Sequence, residues 1–68
     1  MSELIKALAV QYEAEMAKAK ANITVYLKSS VGIGEHPDLV EAIDSQVKLL
    51  TDADDKLTTL QNHYRNEL

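Results

Sequence analysis

Apolar residues recur at helical spacing on both sides of one short stretch that holds all the glycine and proline of the chain. On the N-terminal side the larger ones fall at Ile5, Leu8, Tyr12, Met16, Ala19, Ile23 and Tyr26, in steps of three and four. Such steps place them along one side of an α-helix. The two consecutive steps of four at Leu8, Tyr12 and Met16 form a stutter in a heptad-like seam, which locally unwinds a left-handed supercoil. A second face of small residues runs through Ala7, Ala14, Ala17 and Ala21 and permits close approach of another backbone. On the C-terminal side the seam reads Leu39, Ile43, Val47, Leu50, Ala53, Leu57, Leu60, Tyr64 and Leu68, with a mean step of about 3.6, the period of a straight helix.

Gly32, Gly34 and Pro37 are the only strong breakers. They predict an all-α domain spanning 1–68: a helix over about 3–29, a loop over about 30–36 and a helix over about 37–67. Ser2 is a suitable N-cap for the first helix, with Glu3 favourable in its first turn. Asn22-Ile23-Thr24-Val25-Tyr26 has strand propensity, but it lies inside the helical pattern and is assigned to the helix. Lys28 suits the negative end of that helix. Pro37 suits the first position of the second helix, where a missing N–H costs nothing, and Asp38 and Glu41 follow at its positive end. Asp44 with Lys48 and Asp52 with Lys56 are spaced for i,i+4 pairs in the better orientation. Thr51-Asp52-Ala53-Asp54 also reads as an N-cap that would divide the second helix, against a seam that continues through it without a phase jump.

Two helices of this length bury only the strip between them, whereas ordering the chain costs on the order of 100 kcal/mol. A lone antiparallel hairpin is therefore expected to dimerise into a four-helix bundle with two-fold symmetry. Leu8, Tyr12, Ile23, Ile43, Val47, Leu50, Leu57, Leu60 and Tyr64 are the candidates for self-association. Charge adds weak support. The segment through Ser30 carries four lysines and three glutamates, and the rest carries eight acids and three bases. The attraction between halves sets register more than stability.

Composition narrows the function. With 68 residues, 46% apolar but no Phe, Trp or Cys, the chain has a thin core, no disulfide and no thiolate site. A net charge of −4 disfavours a phosphate-tracking nucleic-acid binder. No apolar run approaches the ~20 residues of a membrane span, and the N-terminus lacks a signal-peptide pattern. His36 and His63 are not at ligand spacing and read as a loop or cap residue and a solvated residue. Asp52-Ala53-Asp54-Asp55 lacks the glycine and the distal glutamate of a calcium loop and reads first as a solvated helix face. Val31-Gly32-Ile33-Gly34 lacks the lysine and hydroxyl of a phosphate loop. No catalytic constellation, metal site or cofactor is expected. Val31 and Ile33, two apolar residues in an otherwise polar connection, are read either as a cap on the bundle end or, with Tyr26, as a docking patch.

The segments Ala19–Leu27 and Val31–Asp44, above all Val31-Gly32-Ile33-Gly34-Glu35-His36-Pro37-Asp38-Leu39, resemble a family of small uncharacterised proteins of T4-like phages of marine cyanobacteria. The likeness covers nearly the whole chain and transfers no site residues. It implies an accessory or minor structural protein, acting in the cytoplasm of the infected host or in the virion. Two functions are expected from these readings. One is a non-enzymatic helical interaction module that is a homo-oligomer and docks on a host or phage protein. The other is an acidic regulator that occupies a basic nucleic-acid-binding surface of a host protein.

Overall fold

The first helix, α1, spans Glu3–Ser29 and the second, α2, spans Pro37–His63. They lie antiparallel in a computed structural model that describes residues 2–29 and 37–68. The described residues are helical apart from short ends, and none of them forms a strand. The hairpin is a rod of 51 × 14 × 12 Å.

Both starts follow the local chemistry. The Ser2 hydroxyl accepts the Ile5 backbone N–H at 3.2 Å, satisfying one of the orphan donors of the first turn, while its carbonyl accepts the Lys6 N–H at 3.1 Å. Pro37 is the first helical residue of α2, with Asp38 in the first turn. The Asn22–Tyr26 segment is helical despite its strand propensity, because the packing of an amphipathic face outweighs a weak local preference. Thr24 bonds back to the Lys20 carbonyl at 3.0 Å, which satisfies its hydroxyl inside the helix. α2 is unbroken through Thr51-Asp52-Ala53-Asp54.

Every member of the α1 seam, from Ile5 to Tyr26, is buried or half-buried. On α2 the inward residues are Leu39, Ile43, Gln46, Leu50, Ala53, Leu57 and Leu60, in alternating steps of four and three. That is a strict heptad seam, as two helices need to stay in contact over many turns. It differs from the sequence reading at two places. Val47 is exposed, because the heptad phase after Ile43 calls for a step of three and brings in Gln46. The Gln46 amide is accommodated there by a hydrogen bond from Asn22 across the seam. Tyr64 is also exposed, because α2 ends at His63 and Tyr64 leaves helical geometry, with φ −132° and ψ 28°. Arg65–Glu67 then forms a 3₁₀ turn, so the final helical segment over about 37–67 is in fact two pieces. The turn folds back on α1, with the Ser2 N–H donating to the Glu67 carbonyl at 3.3 Å.

At mid-rod Ala19 and Ala53, 1% and 2% exposed, are the most deeply buried hydrophobic residues among those described, followed by Leu60. Two alanines where the seam calls for large residues let the helix backbones approach closely.

Candidate functional site

The seam's own chemistry is polar at one layer. The Asn22 side-chain amide donates to the Gln46 carbonyl oxygen at 3.1 Å, half-buried between the helices. Below it Ala19 and Ala53 have no bulk to fill the side of the rod. A groove of about 450 Å³ remains there, rimmed by Glu15, Lys18, Leu49, Asp52 and Lys56. Two acids and two lysines balance its charge. Lys56 places its ammonium 5.6 Å from the Tyr12 ring centroid, within cation–π range. Asp52 is held by Lys48 at 2.9 Å. The sequence spacing pointed instead to Asp44 with Lys48 and Asp52 with Lys56. The observed partner shares the i,i+4 spacing, and Lys56 is drawn across to the Tyr12 ring. Hydrogen bonding to Lys48, then its positive charge, holds the Asp52 carboxyl below its ordinary value of 3.8. The same bond and the carboxylate charge raise Lys48 above 10.5.

This arrangement is poor in chemistry. The Asp52-Ala53-Asp54-Asp55 run lies within α2 rather than in a loop, which removes the curved backbone a calcium loop requires. Among the described residues no three His, Cys, Asp or Glu side chains converge as metal ligands. His63 is exposed at the end of α2, and His36 lies outside the described residues.

The expected interaction residues divide three ways. Val31 and Ile33 lie outside the described residues, and Tyr26 is half-buried on the inner side of α1. Leu8, Tyr12, Ile23, Ile43, Leu50, Leu57 and Leu60 all belong to the contact between the chain's own two helices. Val47 and Tyr64 stand outside that contact.

A second apolar surface lies on the far side of α1. Val10 and Val25 are 63% and 59% exposed there, and Leu4, 79% exposed, stands at its border. Val10 continues the line Ala7, Ala14, Ala17 and Ala21, all exposed, and Val25 borders its end. At 100° per residue this line is diametrically opposite Ile5, Tyr12, Ala19 and Tyr26. Helix α1 is thus apolar on two opposite faces, and α2 can cover only one. The alanines were legible as a face. The valines on it were not, because the large apolar residues at helical spacing trace the inner seam.

Compared with protein-family models, with curated proteins and with solved structures, the chain matches none. No helix among the described residues is long and apolar enough to cross a membrane.

Proposed function

We propose that this chain is a small non-enzymatic interaction module that works as a homodimer. One observation carries this reading. The hairpin exposes 5111 Å² of surface. A compact monomer of its mass exposes roughly 4,200 Å². The excess, roughly 900 Å², is close to the ~800 Å² that each partner contributes to a standard specific interface. The resemblance to phage proteins, carried by the Val31–Leu39 segment, supports an accessory role in the cytoplasm of an infected cell or in the virion, with a host or phage protein as the eventual partner.

Sedimentation equilibrium at micromolar concentration tests the dimer. The expected result is a species of twice 7.5 kDa. A fully helical monomer across the whole concentration range would overturn it.

A second reading rests on α2, which carries six acids and two lysines, with Asp44, Asp54 and Asp55 exposed. In it, the acidic helix occupies a basic nucleic-acid-binding surface of a host protein. Salt separates the two: binding by charge mimicry weakens steeply as salt screens it, whereas apolar pairing does not.

A further inference from the structure

We infer that the second copy pairs back-to-back through the outer face of α1, antiparallel, with residue i of one copy opposite residue 31 − i of the other. This inference rests on the homodimer reading and specifies its surface. The inner seam is already covered by α2, and the flanks of α1 carry Glu13, Glu15, Lys18 and Lys20, all exposed. The outer line Ala7, Val10, Ala14, Ala17 and Ala21 therefore offers a long apolar strip of α1 that stands exposed. A bundle in which both helices of each hairpin meet both helices of the other would have to bury those charged flanks instead.

The register follows from charge and size. In heptad terms the strip alternates core positions in steps of three and four, and an antiparallel pair of such strips matches each core position with its counterpart of the other type. Ala14 then meets Ala17 of the second copy, Val10 meets Ala21, and Ala7 meets Thr24. Each large residue faces a small one, and the Thr24 hydroxyl is already satisfied by Lys20. At both ends Glu3 meets Lys28. Along one border Glu13 falls beside Lys20 of the second copy, twice by symmetry. Along the other border Leu4 covers Val25. No other heptad shift keeps the whole strip from Glu3 to Lys28 in contact, a length of about 38 Å at 1.5 Å per residue. The product is a single layer of four helices in the order α2, α1, α1 of the second copy, α2 of the second copy.

The chain has no cysteine, so engineered thiols report on this register without background. Mixing the Val10→Cys and Ala21→Cys variants under mild oxidation should give the mixed disulfide. Val10→Cys alone should not crosslink, since its two copies sit about 16 Å apart along the axis. The pair Ala14→Glu with Ala17→Glu brings four carboxylates to the two-fold axis. It should abolish the dimer with unchanged far-UV helicity, because both positions are exposed and away from α2. Glu13→Lys should weaken dimerisation about tenfold, as two attractions become repulsions, and adding Lys20→Glu should restore it. Homotypic crosslinking of Val10→Cys would overturn the antiparallel register. A dimer that withstands Ala14→Glu with Ala17→Glu and gives no mixed disulfide would overturn this face while leaving self-association standing. A wild-type chain that stays monomeric at high micromolar concentration would overturn both.

Discussion

Asn22 and Gln46 meet at 3.1 Å where two apolar residues would have packed more simply. Their side chains are half-buried, so each amide loses water on folding and recovers one protein bond. The pair resists sliding of the helices by a heptad, which would set Asn22 against Leu39 or Ala53 and part it from Gln46. Gln46→Leu alone should therefore cost about 1 kcal/mol in urea unfolding. Adding Asn22→Leu should recover most of that, with a positive coupling in the double-mutant cycle. Additive single effects would show that the bond contributes nothing. The exposed Lys48–Asp52 pair behaves differently. Asp52 has a lowered carboxyl value, so its contribution is present above 3.8 and lost as pH falls through its folded value. Lys48 has a raised value, so its contribution holds below 10.5 and fades as pH rises through its folded value. Between those limits the pair adds no pH dependence. Asp52→Asn should flatten the acid limb of a thermal-midpoint profile slightly and leave the neutral midpoint near wild type, since exposed pairs are heavily screened.

At the scale of the helices, the starts were legible and the phase was not wholly so. Ser2 and Pro37 each carry a local chemical reason to begin a helix, and both do so. The seam of α1 was read correctly because its apolar residues coincide with its inward positions. On α2 the reading followed apolarity to Val47, whereas the geometry follows the heptad to Gln46. Only the partner Asn22, 24 residues away, makes that choice affordable. The same long-range information was missing for Lys56, whose ammonium lies 5.6 Å from the Tyr12 ring centroid on the other helix. The difference is measurable. Leu50→Asp puts an unpaired carboxylate into the contact and should cost on the order of 3 kcal/mol or unfold the hairpin. Val47→Asp, three residues earlier, should change stability by less than about 1 kcal/mol. Equal losses at the two positions would restore the straight-helix seam.

For the whole molecule, the radius of gyration is 15.4 Å. A compact chain of this length would have roughly 11 Å. The hairpin itself was legible because a single cluster of breakers divides two long periodic segments, leaving the helices no nearer partner than each other. The second apolar face of α1 was visible only in part, since alanine registers weakly as a hydrophobic signal and becomes informative once exposure is known. An elongated shape and a two-faced helix describe the same fact. Too little of the apolar surface is inward for one copy to bury it all.

The bond from the Ser2 N–H to the Glu67 carbonyl brings the two ends of the described chain together at one tip of the rod. The order in which the helices are synthesised is then not what holds them together, and the hairpin should tolerate circular permutation. A short Gly-Ser bridge from Leu68 to Ser2, with new ends opened in 30–36, should keep the far-UV helicity and most of the urea midpoint. A permutant that loses its helices would show that the connection between α1 and α2, rather than their packing, holds the hairpin together.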